Sequence, residues 1–336
     1  MTSITMKRLL LAAAAAALAS APAMAQGLTR AVINIFATEN ALAIWIAKDK
    51  GMFEKEGLDI EIFNTPSSGV QMQGLADGRF QFAETALDNI VAYQEGQGTA
   101  PLSRTPDFFV FMGISQIELP FVTVPEIKTY AEVKGRTLAV DSLSTGFAFV
   151  LRKMLEKNGL GPNDYKFEAV GGTPARWAAL KEKKHSGTLL ALAFLPEARS
   201  LGFNHLGNSL DTLGRYQGIV TASSRSWAAQ NEKAMIGFIR ARLASNDWLY
   251  DPKNKDEAAK ILLKYMPKLP PQTAPKLIDD LTSPKLGYFR KGEIDPLGTK
   301  VVLELRSQYG QPQKTLNDPS KYIDNKYLDA ALKGRR

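Results

Sequence analysis

The 336-residue sequence has no cysteine and only two histidines. Without thiols there is no disulfide framework, no cysteine nucleophile and no thiol for a lipid anchor. His185 lies in the charged turn Lys181 to Gly187 and His205 in a Gly/Asn loop; neither has a metal-binding spacing such as H-E-x-x-H. G-x-S-x-G, the Walker motif and a G-x-G-x-x-G following a strand are all missing, which removes the usual signatures of serine hydrolases, NTPases and dinucleotide-binding enzymes. There is no dense Lys/Arg block. The net charge of +8 is spread over many segments, so nucleic acid is not an expected partner. Long apolar runs are missing too, except Leu9 to Leu18, which is too short to span a bilayer.

That run follows Lys7 and Arg8 and precedes Ala23-Met24-Ala25, a small-x-small cleavage site. Residues 1–25 are therefore expected to be a signal peptide, cut before Gln26, with the mature chain released to the periplasm. Removing Lys7 and Arg8 lowers the net charge to +6 (8 minus 2). The rest of the chain is long enough for two domains with real cores.

Strand, polar loop and helix then recur. Ala31 to Phe36 reads as a strand, followed by Thr38-Glu39-Asn40 and a helix from Ala41 to Lys50, with Trp45 on its apolar face. Leu58 to Phe63 alternates apolar and acidic residues as a strand does. Thr65-Pro66-Ser67-Ser68-Gly69 then opens a helix over Val70 to Ala76. Phe80 to Ala83 is a third strand, with Glu84-Thr85-Ala86-Leu87-Asp88 starting the next helix. Phe108 to Ile114 is an apolar strand. Glu118 to Val124 carries Pro120, which suggests an edge or connecting strand.

The stretch Lys134 to Leu160 repeats the pattern most clearly. Thr137 to Val140 is a strand, Asp141-Ser142-Leu143-Ser144-Thr145-Gly146 a hydroxyl-rich loop, and Phe147 to Leu155 carries helical spacing. The free N–H groups of that helix start face the edge of the sheet where α/β proteins bind ligands. A capped helix with no ligand is the other reading, and it stays open. Lys166 to Val170 and Leu189 to Leu195 read as further strands, and Arg176 to Lys183 as a helix behind Pro174. Beyond Ser224 come helices at Ser226 to Tyr250, Lys255 to Tyr265, Ala274 to Leu281 and Thr299 to Tyr309.

Ala47-Lys48-Asp49-Lys50-Gly51-Met52-Phe53-Glu54-Lys55-Glu56-Gly57-Leu58-Asp59-Ile60 resembles a signature of solute-binding proteins that serve nitrate, sulfonate, taurine and pyrimidine-precursor ABC importers. Leu75 to Ala83 is similar to the family's L-x-x-G-x-x-D-F-A, with Gln81 in the Asp position. Gly135 to Val140 and Ala191 to Pro196 resemble two further segments. The resemblance implies a two-lobed α/β periplasmic binding protein of the type II kind, each lobe a mainly parallel sheet flanked by helices, with the ligand in the cleft. Residues 26–115 and 216–336 would form the first lobe and 116–215 the second, with hinge crossings near 113–121 and 214–220. It also implies a monomer that meets the permease subunits of an importer, without catalysis, metal or cofactor. The alternative is an exported enzyme or a sensing partner on the same fold. The thiamine-pyrimidine synthases of this family use a cysteine-rich motif and a histidine, and this chain has no cysteine.

The expected ligand residues lie at the strand ends. Thr38 and Asn40 match the family's first ligand-facing loop. Ser67, Ser68 and Gly69, and opposite them Ser144, Thr145 and Gly146, bring helix starts; Glu84, Thr85, Asp141 and Glu197 sit at further strand ends. Arg176 is the cation placed to offset those carboxylates. If two of them face the cleft ionised, a bare oxyanion meets like charge in a partly desolvated space. A small nitrogen-containing solute, such as a pyrimidine or a zwitterion like taurine, avoids that conflict.

Overall fold

Period-two alternation organises the first pair of strands. In the computed structural model, which describes residues 27–333, Thr29–Ile35 (β1) lies parallel to Leu58–Asn64 (β2), which buries Leu58 and Ile60 and exposes Glu61. Between them run helices α1 (Leu42–Asp49) and α2 (Met52–Lys55). Trp45 of α1 is a core residue stacked on Tyr265. Next come α3 (Ser68–Ala76), β3 (Phe82–Ala86), α4 (Leu87–Gln94) and β4 (Phe108–Gln116). The signal peptide expected over residues 1–25 lies outside the described residues.

The second half of the fold follows as β5 (Pro120–Thr123), β6 (Arg136–Val140), α5 (Gly146–Lys157), β7 (Tyr165–Ala169), α6 (Thr173–Lys181), β8 (Gly187–Leu189), α7 (Leu195–Ser200), β9 (Asn204–Asn208) and α8 (Ser209–Leu213). The chain then re-enters the first sheet with β10 (Gln217–Ser224). It finishes with α9 (Arg225–Gln230), α10 (Glu232–Tyr250), α11 (Lys255–Tyr265), α12 (Ala274–Leu281), α13 (Pro296–Tyr309) and α14 (Lys326–Lys333).

Two five-stranded sheets result, ordered β2-β1-β3-β10-β4 and β7-β6-β8-β5-β9. In each, four strands share one direction and the fourth in the order, β10 or β5, runs against its neighbours. Each sheet with its helices is one lobe of an α/β fold. Packing decides where the C-terminal helices go. Phe238 of α10 stacks on Phe53 and Phe82, which pins α10 to the first lobe. Helix α13 instead joins the apolar core shared by both lobes, through Val302, Leu303 and Leu305.

Four local expectations change. Pro120 lies inside its sheet, between β8 and β9, and is accommodated as the first residue of β5. The apolar run after Leu189 is not strand: Leu192–Phe194 forms a 3₁₀ turn, and Pro196 sits in the first turn of α7. Such a run cannot be distinguished from a buried helical turn by periodicity alone. The third strand extends to Ala86, so Glu84 and Thr85 are strand residues rather than a helix start. The helix expected from Ser226 to Tyr250 is broken at Asn231 into α9 and α10.

Candidate functional site

The carboxyl edges of the two sheets face each other, and helix starts from one lobe meet side chains from the other. Helix α3 begins after Ser67, whose hydroxyl accepts the Val70 N–H at 3.3 Å. The Ser68 N–H remains, and it donates to both oxygens of Asp141, at 3.2 and 3.4 Å, from the loop after β6 in the second lobe. The reverse contact lies deeper. Asp88, in the first turn of α4, accepts the N–H of Gly146 at the start of α5. An added Cβ at Gly146 would lie 2.3 Å from the Asp88 carboxyl carbon, so the close approach requires glycine.

Asp88 is buried together with its counter-ion. Nη1 of Arg306, from α13, donates to both Asp88 oxygens at 2.9 Å and to the Ser144 carbonyl at 3.0 Å, while Nε donates to Gln97 Oε1 at 2.9 Å. Burial pushes the Asp88 carboxyl up, against the pull of Arg306 and the Gly146 N–H. Two further contacts join the lobes at the rim. The Gly172 N–H donates to the Pro66 carbonyl at 2.8 Å, and Thr99 and Ser142 share a hydroxyl bond of 2.9 Å. Gly171, next to that backbone contact, has φ +107°, a conformation that L side chains rarely adopt.

A third carboxylate, Glu39, also sits at the junction. It is 3% exposed, and no hydrogen bond reaches its Oε2 among the described residues. Burial pushes this carboxyl from 4.5 up to about 7; its own N–H and those of Ala193 and Leu192 in the second lobe pull it down, and Asp280 adds to the rise.

Between these contacts lies a cavity of about 60 Å³. Its apolar wall is built from Phe36, Ile117, Leu119, Phe147 and Ile219, and its polar wall from Thr38, Asn40, Asn89, Asp141, Thr145 and Arg176. Thr38 starts a 3₁₀ turn without capping it. Asn89 is oriented by Thr85, whose hydroxyl it reaches at 3.0 Å. Arg176 is buried and donates to Thr188 Oγ1, the Gly171 and Leu189 carbonyls and Thr173 Oγ1, at 2.6–3.1 Å. Burial lowers its pKa to about 10 against the opposing charge of Asp141, so it stays a cation at neutral pH.

Thr38, Asn40, Asp141, Thr145, Gly146 and Arg176 thus share one cavity. Ser67 and Ser68 shape the helix start that Asp141 caps, Gly69 follows them in α3, and Ser144 binds Arg306 and Thr99 at the rim. Glu84 is corrected: it lies in the first-lobe core, with its Oε2 3.4 Å from Nε of the buried Arg242, because a strand-interior carboxylate needs a cation beside it. Glu197 is corrected as well. It accepts Trp177 Nε1 at 2.7 Å and pairs with Lys181 at 2.9 Å, in an outer groove instead of the cavity. Sequence reasoning missed Asp88 as a contact residue, together with Asn89 and Arg306. The first two lie at a strand-to-helix junction like those selected, whereas nothing local marks Arg306.

The two lobes and the cavity between them form a periplasmic-binding-protein fold. Residues 38–255 match the NMT1/THI5 like family model, and the chain belongs to that family. No curated protein matches the sequence significantly. Among solved structures, the periplasmic nitrate-binding protein NrtA from Synechocystis PCC 6803 is 16% identical, with a TM-score of 0.75 over 92% of this chain and 89% of that one. The alkanesulfonate-binding protein SsuA from Xanthomonas axonopodis pv. citri, bound to MOPS, is 15% identical, with a TM-score of 0.70 over 89% and 99%. The desulfurization enzyme DszB is 12% identical, with a TM-score of 0.63 over 92% and 100%. At these identities the likeness is one of fold.

Proposed function

We propose that this chain is the periplasmic substrate-binding component of an ABC importer. Its lobes close on a small polar organic solute, and the closed monomer hands that solute to the permease subunits. The observation that carries the reading is the cavity walled by both lobes, since a ligand held there favours the closed form. Residues 26–115 with 216–336, and 116–215, are proposed as the moving bodies, turning at 113–121 and 214–220. A thermal-shift screen of sulfonates, carboxylates, pyrimidines and amides tests binding. A ligand that binds only the folded chain, at 100 times its Kd, adds about 2.7 kcal/mol of stability. Scattering at saturating ligand should then show a smaller radius of gyration, and an unchanged radius refutes the hinge.

Export and delivery need their own measurements. Periplasmic extract should yield a chain beginning at Gln26; one that retains Lys7 refutes the signal peptide. Deleting the gene should abolish uptake of the solute found in the screen. The DszB likeness keeps an enzyme on this fold as the second reading. Both histidines are engaged elsewhere, His185 with Glu168 and His205 with Arg199 and Asn208, and this favours binding. Turnover of any screened compound would favour the enzyme instead.

A further inference from the structure

An oxyanion in such a cleft would be held by helix starts, where free N–H groups and the dipole favour negative charge. Two helix starts that meet the opposite lobe already hold the chain's own carboxylates, and a third, that of α6, gives its Gly172 N–H to the Pro66 carbonyl. Asp141 takes the Ser68 N–H of α3, and Asp88 takes the Gly146 N–H of α5. Asp141 and Gly146 both line the cavity, so an anion entering it would find those two N–H groups taken and a carboxylate in its path. The remaining cation compensates little. Four of the five N–H groups of Arg176 go to protein acceptors, which leaves one on Nη1 instead of a two-pronged anion clamp.

We infer that Asp141 determines specificity as a built-in anion that bars oxyanions, and that the cavity takes a small uncharged amide. This rests on the solute-binding reading above. The amide follows from the groups left over. Ser68 occupies only part of the acceptor capacity of Asp141, so the carboxylate can still accept N–H groups from a ligand. The spare N–H of Arg176 can donate to a carbonyl oxygen. Between them, Phe36 and Phe147 favour a short apolar body. The small cavity, about 60 Å³, favours a ligand as short as acetamide or propionamide.

Calorimetry on the mature wild type, Asp141→Ala and Asp141→Asn, with propionamide, nitrate and methanesulfonate, tests this. The wild type should bind propionamide and neither anion. Asp141→Ala should lose about tenfold or more in propionamide affinity and gain about tenfold or more for methanesulfonate, because a helix start and its charge-assisted donor are freed. Asp141→Asn, which keeps an acceptor for Ser68, should fall between the two and guards against misfolding of the alanine variant. Anion binding by the wild type overturns the inference and leaves the solute-binding reading intact. Failure of propionamide to bind the wild type overturns the amide assignment, and anion affinity unmoved in both variants overturns the role of Asp141. A chain that binds nothing in the broader screen, yet gains methanesulfonate binding in Asp141→Ala, would sink the solute-binding reading and uphold that role.

Discussion

Asp88 and Asp141 make the same contact from opposite lobes, and their surroundings differ. Asp88 is buried, and Arg306 comes with it, bonded to both oxygens. Asp141 is half-buried, and among the described residues its carboxylate accepts a hydrogen bond only from the Ser68 N–H. The difference follows from solvation: a carboxylate removed from water needs a full counter-charge, whereas one at a rim keeps part of its hydration. Glu39 is the third case, buried at the same junction with no cation paired to it among the described residues, and its carboxyl is pushed up to about 7. The carboxylate with a full counter-charge is therefore the one that α13 supports, while the charge of Glu39 follows the pH.

The comparison breaks most visibly at Arg306. Arg306→Ala leaves Asp88 buried without its cation and should cost about 3–5 kcal/mol in urea denaturation. A loss under about 1 kcal/mol would mean that the Gly146 N–H suffices for that carboxylate. Glu39 sharpens the contrast through pH. Its folded-state pKa is raised, so its contribution is fully present below the unfolded value of 4.5 and is lost as pH rises to about 7. In that window the unfolded chain releases a proton that the folded chain keeps. The stability of Glu39→Gln relative to wild type should therefore grow by up to about 3 kcal/mol between pH 4.5 and 8. A difference that stays constant with pH would place Glu39 in water. The smallest effect belongs to Asp141. Asp141→Ala should cost about 1 kcal/mol or less in the same denaturation, since Ser67 still caps α3. A cost near that of Arg306→Ala would erase the distinction between the rim contact and the buried one.

Much of this architecture could be read from residue order. Alternation in Leu58 to Phe63, helical spacing in Phe147 to Leu155 and the Gly and Pro punctuation marked most elements, because these signals act within a few residues. Within the site, Thr38, Asn40, Asp141, Thr145, Gly146 and Arg176 were legible as polar or small residues at strand-to-helix junctions. Glu84 was misread because its strand runs three residues further, and what stabilises a carboxylate there is Arg242, 158 residues away. Glu197 looked like a cleft residue only while Leu189 to Leu195 was read as a strand pointing at the cleft.

By itself the sequence determined the local units: which runs pair as strands, which helices begin after a hydroxyl or a proline, and that polar junction loops recur. These follow from backbone sterics, periodic burial and capping, all settled over short separations. Only the tertiary structure decided which charges meet. Arg306 reaches Asp88 across 218 positions and Asp141 reaches Ser68 across 73, after both sheets and α13 have packed. Whether a carboxylate is a free ligand for a solute, a cap for a facing helix or half of a buried pair depends on its desolvation and on which donors folding brings within about 3 Å. Neither quantity is written in the neighbours of Asp88, Asp141 or Glu39 along the chain.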